Sequence, residues 1–135
     1  MHDHYSTDMS LAYRAKRTGA KVRRIALYEA FNLHLQLGKT KIQQRIHQLN
    51  QQTKQGLAKM SHVSLYTPAS AELSSGLVCF DVKGLKAETV VEMMHKKGII
   101  MSNTPYRQSY ARFAPSLLNN EQEIELALAE INALG

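Results

Sequence analysis

The stretch Tyr110-Ala-Arg-Phe-Ala-Pro-Ser-Leu-Leu-Asn-Asn-Glu-Gln-Glu-Ile124, continuing to Leu134, predicts a short strand, a turn broken at Pro115 and a terminal helix. Asn119 or Asn120 is placed to cap that helix. Glu121, Glu123 and Glu125 fall in its first turns, where the backbone dipole favours negative charge. Ile124, Leu126 or Ala127, Leu128, Ile131 and Leu134 then give an apolar stripe near helical spacing. Within the strand, Arg112 is flanked by Ala111 and Phe113. An arginine in such a place either snorkels to the surface or holds an anion, because a guanidinium keeps its charge.

Working outward, the preceding residues read as a small mixed unit. His62–Thr67 alternates like a strand and ends at Pro68, and Ala69–Ser75 is a loop of small residues. Gly76–Val82 is a strongly apolar strand closed by Lys83-Gly84. A helix over about 86–97 stops at Gly98, as a C-terminal glycine does. Ile99–Met101 is predicted as a short strand and Ser102–Gln108 as a polar loop. Residues 61–135 therefore read β-β-α-β-β-α, an α+β class layout with helices on one face of a small sheet.

Upstream, 20–60 reads as two connecting helices. Leu11–Leu37 is helical with a break at Thr18-Gly19, and Ile25, Tyr28, Phe31 or Asn32, and Leu35 recur at helical spacing. After Gly38 a second helix carries Ile42, Ile46, Leu49, Thr53, Leu57 and Met60 along one narrow stripe, suited to a helix lying on a single neighbouring layer. Gly56 is expected to weaken it slightly. Residues 1–19 are expected to be disordered or loosely packed. His2 and His4 have metal-ligand spacing but no third ligand nearby, so a frayed terminus is the expectation.

Bulk numbers narrow the class. A hydrophobic fraction of 44% with 21% charged residues fits a soluble globular chain, and no run reaches the ~20 apolar residues of a membrane span. No secretory signal is visible at the N-terminus, and the single Cys79 excludes an intramolecular disulfide, so the cytoplasm is the expected compartment. The net charge of +6 is lopsided: residues 1–60 hold 11 Lys+Arg against 3 Asp+Glu, and residues 61–135 hold 6 against 8. A basic half of this kind attracts nucleic acid or an acidic partner, or is simply a basic helix face. No aromatic residues are interleaved with those charges, which argues against nucleic acid.

Motifs of several enzyme classes are missing, among them Gly-x-Gly-x-x-Gly, Walker, Cys-x-x-Cys, His-Glu-x-x-His and Gly-x-Ser-x-Gly. Cys79 lies in an apolar strand and reads as packing. Met93, Met94 and Met101 read as core filler. His95-Lys96 complements a helix C-terminus rather than binding a cofactor.

Residues 62–134 resemble the C-terminal domain of the class V aminotransferase family of pyridoxal-phosphate enzymes, which includes cysteine desulfurases and isopenicillin N epimerase-like proteins. The resemblance rests on Ser75-Gly-Leu-Val-Cys-Phe-Asp-Val82, on Lys97-Gly-Ile-Ile100, on Tyr110-Ala-Arg-Phe-Ala-Pro115 and on Asn119-Asn-Glu-Gln-Glu-Ile124, in that order. Ala30–Gly38, Ile42–Arg45 and Leu57 look like helices leading from the family's large domain into its small one, so the match covers about residues 25–134. The resemblance implies the C-terminal domain fold of fold-type I enzymes, with Arg112 gripping the α-carboxylate of an amino-acid substrate. Ala114, Leu118 and Asn120 stand where the family usually has Ser, Tyr and Thr.

Pyridoxal 5'-phosphate is implied for the parent enzyme, together with a homodimer and a large domain bearing the Schiff-base lysine. Nothing in this chain matches that lysine motif. The expectation is a fragment or truncated product, or a small domain surviving alone. It would work with a missing large domain or companion polypeptide, and be inactive and free of bound cofactor by itself. The alternative is a non-catalytic interaction module that uses its basic helices.

Overall fold

The computed structural model describes Lys16 and residues 27–135. The expectations for 1–19, including His2 and His4, and for most of the first helix before Leu27 lie outside the described residues, Lys16 alone excepted. The chain divides after Leu37 into two units, Met1–Leu37 and Gly38–Gly135.

In the first unit, helix α1 (Leu27–Leu37) bears Tyr28, Phe31 and Leu35 at the predicted spacing, and all three are exposed. His34 is half-buried.

The second unit starts at Gly38, whose φ of 83° is open to glycine and costly for other residues. Helix α2 (Lys39–Ala58) follows. It is built from Lys, Gln and other helix formers, with four of the six predicted stripe residues, Ile42, Leu49, Thr53 and Leu57, buried. Ile46 and Met60 are half-buried.

The sheet contains β1 (Val63–Leu65), β2 (Val78–Val82), β3 (Ser102–Asn103) and β4 (Ala111–Phe113), in the order β1-β2-β4-β3 and antiparallel throughout. Helices α3 (Ala87–Lys96) and α4 (Glu121–Asn132) complete it. The β-β-α-β-β-α order read from the sequence is the order observed.

Strand alternation decides what each sheet face carries. Val78, Phe80 and Val82 of β2, with Ala111 and Phe113 of β4, are buried against Leu49 and Leu57 of α2, Val90 and Met94 of α3, and Ile124, Leu128 and Ile131 of α4. The Phe80 and Phe113 rings stack with centroids 5.3 Å apart. Phe80 is fully buried, so truncating it to alanine costs about 3–5 kcal/mol.

One strand lies elsewhere than predicted. Ile99–Met101 is not a strand; the pairing residues are Ser102 and Asn103. The physical reason is the end of α3. The Gly98 N–H donates to the His95 carbonyl and the Ile99 N–H to the Met94 carbonyl, with Gly98 at φ 80°. This paired closure uses Ile99 to satisfy the helix's last carbonyls, so the chain becomes extended only afterwards. Met101 is still buried, whereas Ile100 is exposed and so is Met93, one of the three predicted core methionines.

Helix α4 begins as expected. Asn120 accepts from the Glu123 N–H at 2.9 Å, and the Glu123 carboxylate accepts from the Asn120 N–H at 3.0 Å, a reciprocal cap. Arg45 of α2 binds Glu121 at 2.5 Å and also donates to the Asn119 carbonyl, tying α4's start to α2. Of the two alternatives on the stripe, Ala127 is buried and Leu126 exposed. Among the described residues, no helix is long and apolar enough to cross a membrane.

Candidate carboxylate-binding face

Arg112 occupies the middle of β4, with β2 on one side and β3 on the other. Its directly opposed partners are Cys79 on β2 and Ser102 on β3. Opposed residues share a face, so Arg112, Cys79 and Ser102 form one row across three strands. Asp81 lies two residues from Cys79 on that face, paired with Ser64 of β1. The row is polar because each of its members alternates with a core residue: Val78-Cys79-Phe80-Asp81-Val82 on β2 and Ala111-Arg112-Phe113 on β4.

Arg112 is half-buried, and its Nε–H donates to the Ser102 Oγ at 3.0 Å. Its terminal nitrogens take no partner among the described residues. A planar guanidinium held at Nε and open at its far end suits a bidentate carboxylate. Cys79 is half-buried beside it rather than in the core, which corrects the reading of this cysteine as interior packing. Its parity along β2, opposite to that of Val78 and Phe80, turns it outward.

Beyond Asp81 an open cleft of about 450 Å³ is lined by residues including Ser64, Tyr66, Asp81, Lys86 and Ser109. Hydrogen bonding to the Asp81 carboxylate, reinforced by its charge, pushes the Tyr66 phenol up. The Tyr66 and Tyr110 ring centroids lie 4.3 Å apart. Arg112 is not part of this cleft, so the guanidinium sits on a surface row, a form that suits a site completed by another protein surface.

The segment between β3 and β4 is fixed by its own hydrogen bonds. Thr104, buried, accepts from the Tyr110 N–H at 2.9 Å, and the Ser109 hydroxyl donates to the Thr104 carbonyl at 3.0 Å. Asn103 donates to Glu88 at the start of α3 and to Ser109. These bonds hold β3 against β4 and so set where Ser102 stands. Sequence reading missed Ser102, Asp81 and Thr104. The available signal was strand parity, which puts Cys79, Asp81 and Arg112 opposite the large apolar residues.

A Schiff-base cofactor needs a lysine free to condense with it. Lys54 is the one buried lysine among the described residues, and its Nζ is held by the Pro68 and Ala69 carbonyls and by the Ser74 hydroxyl, at 2.8–3.1 Å. The other described lysines are exposed. The described residues therefore offer no lysine that is both enclosed and free, and do not fit pyridoxal phosphate. Nor do they group three or more His, Cys, Asp or Glu side chains in a way that would hold a metal ion.

A four-stranded antiparallel sheet with helices on one face and an arginine on the other has the architecture of the small domain of fold-type I pyridoxal-phosphate enzymes. Residues 4–105 match the family described as aminotransferase class-V, and the chain belongs to that family. Among solved structures, apo cysteine desulfurase from Thermococcus onnurineus NA1 aligns over 73% of this chain and 27% of its own, with 22% identity and a TM-score of 0.68. A C-DES variant with glycine covalently linked to its PLP cofactor aligns over 78% of this chain and 27% of its own, with 26% identity and a TM-score of 0.69. The cystine C-S lyase C-DES bound to its reaction product, cysteine persulfide, aligns with 26% identity and a TM-score of 0.67 over 76% of this chain and 27% of its own. The chain thus spans about a quarter of the length of each of these enzymes. No curated protein sequence matches it significantly.

Proposed function

We propose that this chain supplies the substrate-side domain of a cytoplasmic, pyridoxal-phosphate-dependent class V enzyme, with Arg112 anchoring the α-carboxylate of an amino-acid substrate. The observation that carries this reading is the guanidinium on the row Cys79-Arg112-Ser102, tied at Nε and with no partner at its terminal nitrogens among the described residues. The C-DES relatives, one with glycine on its cofactor and one with cysteine persulfide, support an amino acid as the substrate class. Residues 61–135 form the small domain, and 20–60 connect it to a large domain. That large domain, in the same or a companion polypeptide, brings the cofactor lysine and the pairing acid, and the complete enzyme is a homodimer. The 135-residue chain alone does not catalyse.

The test is an NMR titration of the chain with L-alanine. The amide resonances of Cys79, Arg112 and Ser102 are expected to shift, and Arg112→Ala to remove the response while the other resonances keep their folded positions. A response that survives in Arg112→Ala would overturn the assignment.

A further inference from the structure

We infer that Ser102 is a positioning residue that fixes the Arg112 guanidinium for end-on contact, through its two terminal nitrogens, and closes its side-on edge. The inference rests on the carboxylate-anchor reading of Arg112 and goes one step beyond it.

A guanidinium offers a carboxylate two bidentate edges. One is formed by the two terminal nitrogens, the other by Nε and the nearer terminal nitrogen. In this fold the second edge is taken, because the Nε–H donates to the Ser102 Oγ at 3.0 Å. The contact follows from register: Ser102 is paired directly with Arg112 across β3 and β4, so both side chains rise from the same face.

That register is itself secured on the side of the pair that leads into the β3–β4 connection. The neighbouring Asn103 pairs with Ala111 and is held by Glu88 and Ser109 at 3.0 Å each, while the Thr104 N–H donates to the Tyr110 carbonyl at 2.9 Å. Ser102 therefore stands on a braced two-residue strand rather than a free loop. Arginine loses several rotatable bonds when it binds, and a partner at Nε removes much of that freedom beforehand. The carboxylate then lies along the arginine's long axis, beyond the sheet face, rather than flat against β3.

The experiment follows the Arg112 side-chain Nε–H and terminal N–H resonances of the whole chain, with acetate as the probe. In the unmodified chain, acetate is expected to shift the terminal resonances and leave Nε–H in place. Ser102→Ala is expected to speed Nε–H exchange with water by about two- to tenfold, the worth of one such hydrogen bond, and to make Nε–H respond to acetate. Ser102→Thr keeps the hydroxyl and is expected to restore both behaviours, which a merely structural role for residue 102 would not produce.

An acetate-induced Nε–H shift in the unmodified chain, or unchanged exchange in Ser102→Ala, would overturn the inference and leave the anchor standing. An Arg112 side chain that ignores acetate in every variant would overturn the anchor reading and this inference with it.

Discussion

Cys79 and Arg112 are directly paired across β2 and β4, one residue out of step with the buried pairs Val78–Phe113 and Phe80–Ala111. The thiol and the guanidinium therefore share the outward face, their backbones about 4.5–5.5 Å apart as in any opposed antiparallel pair. Alkylating Cys79 with a bulky maleimide is expected to proceed in the folded chain, without denaturant, and to abolish the response to L-alanine. Labelling that needs denaturant would place the thiol in the core and contradict the observed register.

The Arg45–Glu121 pair makes one contribution to the fold's stability acid-sensitive. Hydrogen bonding from Arg45, with help from the backbone at the start of α4, lowers the Glu121 carboxyl to about 2. A carboxyl depressed in the folded state stabilises it above the carboxyl's ordinary value near 4.5, and that contribution disappears as pH falls towards about 2. Between those values the unfolded chain binds more protons, so stability rises with pH. Urea midpoints measured across this window are expected to fall less steeply with acid in Glu121→Gln than in the unmodified chain. Parallel curves would show that the pair does not act in solution.

Lys54 holds the loop before β2 to helix α2. Its ammonium is buried, and its three partners are neutral oxygens of residues 68, 69 and 74. Asn50, one turn earlier on the helix, donates to the Ser75 carbonyl. Lys54→Met keeps most of the aliphatic stem but strands the oxygens, at a cost of about 1–3 kcal/mol. The expected result is a lower urea midpoint with faster proteolysis confined to residues 68–75. Cleavage elsewhere at unchanged loop resistance would contradict it.

Pyridoxal phosphate added to the purified chain is expected to give no internal-aldimine absorbance band that survives gel filtration, since Lys54 is engaged and an imine on any of the other described lysines, all exposed, is open to hydrolysis. A band that survives gel filtration would contradict the division of labour proposed here.

Much of this arrangement was readable from the sequence because local signals agreed with one another. Asn119 or Asn120 reads as the cap of an acidic first turn, Gly98 as the end of α3, and the Gly76–Val82 run as a central strand; the cap is Asn120, and the other two are borne out. Where the structure departs from the sequence pattern, apolar character alone does not decide burial or pairing. Ile99–Met101 looked like a strand, yet Ile99 closes α3 and pairing waits until Ser102. Gly56, expected to weaken α2 slightly, also gives room to Leu128 of α4, whose side chain a Cβ would overlap. Ser102 was out of reach because its role depends on register between two strands eight residues apart, which no local pattern encodes. Arg112 stands out in the sequence as an exception to its apolar surroundings, but the direction of its side chain depends on which neighbours occupy the other face.

The most direct measurement compares L-alanine with L-alaninamide, which lacks only the carboxylate, as ligands of the unmodified chain. Losing a charge-assisted bond to Arg112 is expected to weaken binding by about tenfold or more, with the Cys79, Arg112 and Ser102 resonances responding to the acid alone. Equal affinity for the two compounds, with the same residues responding, would contradict the claim that Arg112 reads the acid group of an amino acid.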